Sequence, residues 1–329
     1  MTRSIGIVGA GDIVRKLHLP VLQCLDDVRI AWLYDAAPLR ARAVGDAYGV
    51  RVTEAEGPRE LPACDVVLLA VPAPARGAYL QEFARRETAV FCEKPFALSL
   101  EEHRNYLEWF APHRLGCGYM RRFYRSTRIV DHLLKQGWLG DLRAIRIAEG
   151  ARSRGSGSGH SFLDDPRFAA AGGVLMDLGT HTLDLALQFA GDGDSRVEHA
   201  EITFDGKVDR HAQASARIGA TSTQLDYAVS WLAPQSNRLQ LDFAHASVWM
   251  GIAPDACVFL GDAARPREAL ELGASVEGAT TMNQAFALEW REFLAGLDSG
   301  SESRVSARSA LATTGLAQMI RDTGIRAHE

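Results

Sequence analysis

The sequence predicts an α/β domain built on a parallel sheet, followed by an α+β domain whose strands run mostly antiparallel. Three observations carry this. Short apolar runs alternate with helical stretches over the first third of the chain, a glycine-rich turn follows the first run, and beyond about residue 120 apolar residues recur at every second position. Strands alternating with helices need crossover connections and build parallel sheet. A period of two marks strands with one buried face.

In chain order, residues 5–8, 28–34, 65–71, 88–92 and 115–119 read as strands. Those at 5–8 and 66–71 are apolar almost throughout, as strands covered on both faces should be. Between them, 38–48 has helical spacing and is stopped by Gly49, 75–86 reads as a second helix, and 100–110 as a third. The third is entered through Ser99-x-x-Glu102, the pattern of a capping box. A helix fits 127–136, ended by Gly137. In 223–232, Leu225, Tyr227, Val229 and Trp231 share one face while Gln224, Asp226 and Ser230 share the other, and 212–218 alternates likewise. Helices return at 283–297 and 307–321, and the Ser/Gly-rich stretch 152–159 reads as a mobile loop. The change of character divides the chain into an expected first domain of residues 1–119 and a second of residues 120–329.

A chain of 329 residues accommodates two such domains. Its composition, 47% hydrophobic and 23% charged, is that of a globular enzyme. A net charge of −5 offers no broad basic field, so neither nucleic acid nor an anionic membrane is an expected partner. Cys24, Cys64, Cys92, Cys117 and Cys257 form no Cys-x-x-Cys pair. Such an odd, scattered set fits free thiols in a reducing compartment. No leader pattern follows Met1 and no apolar stretch has membrane-spanning length, so a cytoplasmic location is expected.

The turn after the first strand is Gly9-Ala10-Gly11-Asp12-Ile13-Val14. Gly9 permits a tight turn, Gly11 lets the backbone approach a pyrophosphate, and the helix that follows points its free N–H groups and positive dipole end at the phosphates. Val14 replaces the third glycine of the Rossmann fingerprint, at a position that serves packing. The second strand ends at Asp35, where an acidic residue meets adenosine ribose hydroxyls. A carboxylate there repels a 2′-phosphate and favours NAD, while Arg40 and Arg42 nearby leave NADP open.

Two further clusters carry chemistry. Glu93-Lys94-Pro95 closes an apolar strand, and ligands of open parallel sheets sit beyond such strand ends. Gly172-Gly173 leads into a helix on which Asp177, His181, Asp184 and Gln188 share one face. So apolar a helix needs partners for these polar groups. No further His or Cys set accompanies Asp177 and His181, so no metal is expected.

With these motifs in this order, the sequence resembles the Gfo/Idh/MocA oxidoreductases. The resemblance runs almost end to end. It takes in Gly9-Ala10-Gly11 with His18-Leu19-Pro20, Glu93-Lys94-Pro95, Arg122-Phe123 after Gly118-Tyr119, and Gly172-Gly173 leading to Asp177-x-x-x-His181-x-x-Asp184. It also includes the tail from Ala285 through Trp290 to Phe293. It implies a Rossmann domain followed by an α+β domain with a large open sheet, commonly a homodimer or homotetramer interface. It implies a catalytic set of Lys94, Asp177 and His181, and a secondary alcohol or ketone of a sugar, cyclitol or related ring as substrate. The cofactor residues are then Gly9, Gly11, Asp12, Ile13, Asp35, Arg40, Pro72, Glu93 and Lys94.

Two positions depart from the family pattern near the cleft: Arg76, where a histidine is frequent, and the run Tyr119-Met120-Arg121-Arg122, where an asparagine is frequent. In the implied roles, His181 is general base in oxidation and general acid in reduction, Lys94 holds the reacting oxygen, Asp177 orients substrate or imidazole, and Asp184 either buttresses His181 or is structural. The arginines from 121 to 128, with Arg152 and Arg154, read as surface charges or as selectors of an anionic substrate, and Tyr124 and Trp138 as packing residues. Competing functions are a redox-neutral NAD-dependent glycosidase or epimerase, and a non-catalytic dinucleotide or sugar sensor.

Overall fold

The computed structural model describes residues 2–151, 172–262, 264–265, 268–272 and 275–327. The expected loop at 152–159 lies outside these residues. The chain forms two compact units: Met1–Met120 with Met282–Leu311, and Arg121–Thr281 with Ala312–Glu329.

The first unit carries the parallel sheet. Its strands are β1 (Arg3–Val8), β2 (Val28–Tyr34), β3 (Val66–Leu69), β4 (Ala89–Cys92) and β5 (Leu115–Cys117), in the order β2-β1-β3-β4-β5. β1 lies between β2 and β3, so the order reverses there and opens the crevice that doubly wound sheets use for ligands. β3 and β4 are buried at every position, as their apolar runs require. β3 stops at Leu69, short of the apolar run, since Pro72 has no N–H to extend the ladder. The helices are α1 (Leu19–Leu22), α2 (Pro38–Tyr48), α3 (Gly77–Arg85) and α4 (Leu100–Glu108). α2 ends at Gly49 in the left-handed region (φ 64°), and Ser99 caps α4 by accepting the Glu102 N–H at 3.1 Å. The Glu102 carboxylate reaches back to the Leu98 N–H (3.0 Å), one residue beyond the usual capping-box partner.

The second unit holds α5 (Arg125–Gln136) and α6 (Thr180–Ala190), with strands β6 (Leu142–Gly150), β7 (Arg196–Asp205), β8 (Val208–Ile218), β9 (Thr223–Ser230), β10 (Arg238–Phe243), β11 (Ser247–Gly251), β12 (Val258–Gly261), β13 (Leu270–Leu272) and β14 (Ile325–Ala327). Among the described residues these make one nine-stranded sheet, β13-β12-β11-β10-β6-β9-β8-β7-β14. Its pairs are antiparallel except β6 with β9 and β14 with β7. Leu225, Tyr227, Val229 and Trp231 are buried, as the alternation requires. Ser230, expected on the polar face, is buried too, because its Oγ accepts the N–H groups of Leu232 and Ala233 at 3.1 and 3.3 Å. On the more polar face, Arg146 pairs with Asp226 and Asp242.

Two helices complete the chain, α7 (Met282–Ser299) and α8 (Leu311–Thr323). α7 explains why the first unit is discontinuous. Trp290 and Phe293 pack on Phe91 of β4 at ring distances of 4.6 and 5.2 Å, and Phe286 meets His18 at 4.8 Å. The division drawn from the sequence at residue 119 has two continuous pieces, whereas the compact first unit recruits this aromatic segment. Among the described residues no helix is long and apolar enough to cross a membrane, and no two of the five cysteines are joined in a disulfide.

Candidate active site

The glycine turn is built by close approach. Gly9 has φ +104°, and a Cβ there would stand 2.4 Å from the Ala70 carbonyl oxygen, so only glycine fits. A Cβ at Gly11 would meet nothing within 4 Å: the space over the turn is open. Helical bonding starts with the Arg15 N–H to the Gly11 carbonyl at 3.0 Å. The amides of Asp12, Ile13 and Val14 are therefore those a helix leaves for an outside acceptor. The Asp12 carboxylate turns along the helix to Lys16 (2.7 Å) and Arg15 (3.0 Å), which hold it below the usual carboxyl range. What Asp12 offers an anion is its amide.

Asp35 braces this turn. Its carboxylate accepts the Ala10 and Ala37 N–H groups, each at 2.8 Å, and the exposed Arg40 guanidinium stands 3.6 Å away. An open cradle over Gly11, helix amides at its rim and a carboxylate at the end of β2 fit the pyrophosphate and ribose of a nicotinamide dinucleotide.

The Lys94 turn leaves β4 at Cys92. Glu93 is buried, and its Oε1 lies 2.7 Å from His18 Nε2. His18 Nδ1 accepts the Trp290 indole N–H at 2.9 Å, so Nε2 carries the hydrogen and donates to Glu93. Glu93 Oε2 accepts the Lys94 backbone N–H at 3.1 Å. Burial pushes the Glu93 carboxyl upward, but the His18 bond and the charges of Lys94 and Arg76 outweigh it and hold the group below the ordinary carboxylate range. Glu93, expected at the cofactor, thus has both oxygens committed to holding the turn. Lys94 itself is half-buried, and the Lys94–Pro95 peptide is cis.

Arg76 differs from the expectation of a cleft residue. It is only 2% exposed and donates to the carbonyls of Val71 (2.9 Å), Phe96 (3.1 Å) and Pro95. Pro72 opens the short turn Ala73–Ala75 that leads to it.

In the second unit, residues Leu175–Gly179 form a wide π turn that runs into α6. The 3.6-residue spacing expected from Asp177 onward therefore applies only from Thr180. Asp209 of β8 caps the turn, accepting the Gly173 and Leu175 N–H groups at 2.7 and 2.8 Å. Gly173 is required because a Cβ would stand 2.0 Å from the Asp209 carbonyl oxygen. Gly179 rests on Tyr227, whose hydroxyl oxygen would be 2.4 Å from a Cβ at that position. Burial raises the Tyr227 phenol, which stays neutral.

From this seat Asp177 is half-buried and His181 is buried. Asp184 and Gln188 are committed elsewhere. Asp184 accepts from Arg122 Nε at 2.8 Å and from the Thr313 hydroxyl at 3.2 Å, and Gln188 donates to Asp131 at 2.8 and 2.9 Å. Asp184 is thus the partner of a buried arginine, the structural alternative of its two expected roles. Arg121 and Arg122 are not surface charges: both are buried, and Arg121 forms a two-pronged pair with Glu149 at 2.8 Å on each arm. Tyr124 packs as expected, but Trp138 is 70% exposed. Arg152 and Arg154 lie outside the described residues, as do His160, Asp164 and Asp165 of the segment before Gly172 that the sequence offers as a cover for the substrate.

The cofactor candidates share one placement. Gly9 to Ile13 follow β1, Asp35 and Arg40 follow β2, Pro72 follows β3, and Glu93 with Lys94 follow β4. All stand beyond the carboxyl ends of strands in one sheet. Sequence reasoning missed Trp290 and Asp209 as supports, and saw His18 only as part of a motif. The histidine two residues before Pro20 and the acid facing Gly173 gave no local signal of their partners.

Fold and cradle together define a dinucleotide-binding oxidoreductase with a Rossmann domain. The chain belongs to the Gfo/Idh/MocA oxidoreductase family: the model described as an oxidoreductase family with NAD-binding Rossmann fold matches residues 3–118, and that of the family's C-terminal domain matches residues 127–248. It is 28% identical to the inositol 2-dehydrogenase of Rhizobium meliloti over 58% of this chain and 56% of that protein. It is 28% identical to the myo-inositol 2-dehydrogenase of Thermotoga maritima over 62% of this chain and 58% of that protein. The matched stretches thus span little more than half of these relatives. Over the full length of both chains, the fold matches that of KijD10, a 3-ketoreductase from Actinomadura kijaniata solved with TDP-benzene and NADP in an open conformation, with a TM-score of 0.82 at 18% identity.

Proposed function

We propose that this protein is an NAD(P)-dependent dehydrogenase or reductase acting on a secondary alcohol or ketone of a sugar, cyclitol or related ring. The observation that carries this reading is the effort the fold spends on Lys94. A buried chain from the Trp290 indole through His18 to Glu93 ends on the backbone N–H of that lysine. An incidental surface lysine needs no such support. The relatives named as inositol dehydrogenases support a polyhydroxylated ring as substrate.

When bound, the nicotinamide supplies the redox chemistry by accepting or giving a hydride. Lys94 donates a hydrogen bond to the reacting oxygen and favours developing negative charge there. His181 takes the hydroxyl proton in oxidation and returns it in reduction, and Asp177 orients the substrate hydroxyls or the imidazole. Asp35 disfavours a 2′-phosphate and makes NAD the preferred cofactor, while the exposed Arg40 beside it allows NADP. The protein works in the cytoplasm as a homodimer or homotetramer.

The test is a panel of cyclitols and sugars, including myo-inositol, incubated with NAD and with NADP and followed at 340 nm. Net reduced cofactor with at least one ring alcohol, and faster turnover with NAD, is the expected result. Ring interconversion or glycoside cleavage with no net absorbance change would establish the redox-neutral alternative, and tight sugar binding without turnover the sensor.

A further inference from the structure

We propose that Arg76 is a positioning residue for Lys94: its buried guanidinium bridges the loops after β3 and β4 and fixes where the lysine leaves the sheet. The proposal rests on the catalytic reading of Lys94 given above. Arg76 is among the largest side chains withdrawn almost completely from solvent. It donates through Nε to the Val71 carbonyl at 2.9 Å, on the loop after β3. Its Nη1 donates to Pro95 and, at 3.1 Å, to Phe96, on the loop after β4. Those two residues immediately follow Lys94.

A guanidinium is planar, permanently charged and carries five donors in a fixed fork, so three carbonyls bound to it lose their independent motion. The opposite side of the same turn is held by Glu93, which accepts the Lys94 N–H and the His18 imidazole. Lys94 is therefore gripped at its own amide and, one and two residues on, at backbone carbonyls. Two strand-end loops that the sheet leaves unconnected become one rigid platform. Displacement of a reacting group by about 1 Å costs on the order of 100-fold in rate, which gives this clamp a kinetic consequence distinct from folding.

The test uses the full chain with NAD bound and two variants, Arg76→Met, which keeps the stem and removes every donor, and Arg76→Lys, which keeps the charge but lacks the fork. The chain has four lysines, Lys16, Lys94, Lys135 and Lys207, so competitive acetylation with acetic anhydride, read by mass spectrometry, reports Lys94 against three internal references without any substrate. In Arg76→Met the Lys94 labelling rate should change threefold or more while the other three hold. With the best substrate of the panel, kcat should fall about tenfold or more, with KM and the NADH dissociation constant within twofold. Arg76→Lys should recover part of both losses.

Lys94 labelling and kcat both within twofold of the original in Arg76→Met would overturn the proposal, as would parallel loss of NADH binding and turnover, which marks a general structural role. If Arg76→Met does not melt cooperatively, unchanged Lys94 labelling in Arg76→Lys overturns it instead. Lys94→Ala separates the two layers. Near-normal turnover there, with Lys94 labelling still shifted in Arg76→Met, removes the catalytic reading and leaves the clamp. An inactive Lys94→Ala beside an unperturbed Arg76→Met removes the clamp alone.

Discussion

In the first unit, Lys94 stands on a turn gripped by side chains from distant parts of the chain: Arg76, and His18 with Trp290 acting through Glu93. In the second, the turn that carries Asp177 and leads to His181 is seated at its own backbone, with Gly173 pressed on the Asp209 backbone carbonyl and Gly179 on the Tyr227 side-chain hydroxyl. The difference is one of adjustability. A side-chain clamp can be cut while the strands beneath stay in place, because the ladder hydrogen bonds of β3 and β4 do not pass through it. A backbone seat cannot be cut without moving the chain that carries the chemistry. Substitutions in the first unit should therefore separate rate from stability, and those in the second should couple them.

The largest effect tests whether the two turns do one job. Lys94→Ala and His181→Ala should each lower kcat on the order of 10³-fold while NADH still binds, measured by nicotinamide fluorescence. Near-normal turnover in both would end the assignment. Next comes Gly173→Ala. The added methyl meets a carbonyl oxygen that belongs to β8 and cannot swing aside. A loss of about 3–4 kcal/mol, with kcat falling in step, is expected from chemical denaturation. A fully stable variant with reduced kcat would make the second unit behave like the first and erase the contrast.

The smallest effect sharpens the comparison through pH. His103 of α4 is buried, and its Nε2–H donates to the Ala307 carbonyl at 3.0 Å. Burial drives its pKa down from 6.5 to about 4 despite that bond. Between those values the unfolded chain binds the proton and the folded chain does not, so its contribution is complete above pH 6.5 and is lost as pH falls toward 4. Between pH 7 and 5 this amounts to about 2 kcal/mol. Hydrogen exchange should show α4 and β5 losing protection over that range, and His103→Gln should flatten the slope. An unchanged slope in the variant would assign the pH response to other groups.

Much of the fold was legible because local signals agreed with burial. Gly49 and Gly137 end their helices in the left-handed region, Ser99 caps α4, and β3 and β4 are as apolar as strands covered on both faces must be. The tight turn at Gly9 was legible because close approach to the Ala70 carbonyl demands glycine there, whereas the brace that Asp35 supplies by accepting the Ala10 N–H had no local signal. What stayed hidden depends on pairs far apart or on non-standard turns. Trp290 and His18 are 272 residues apart, and no local pattern couples an indole to an imidazole across that distance. The π turn at Leu175–Gly179 breaks the periodicity that placed Asp177 on the face of His181. Arg76 stood out only as a departure from the family pattern, and Arg121 and Arg122 looked like charges for solvent or substrate; the carbonyls and carboxylates that allow their burial come mostly from distant parts of the chain.

The return of α7 to the first unit has a practical consequence for anyone dissecting the protein. A fragment ending at Met120 would leave Phe91 without Trp290 and Phe293, strip the indole from His18 and remove the ion partner of Arg3, Asp298. Such a piece would present a greasy scar to water and should clump rather than take up NAD. The minimal self-standing cofactor binder must splice residues 282–311 back on.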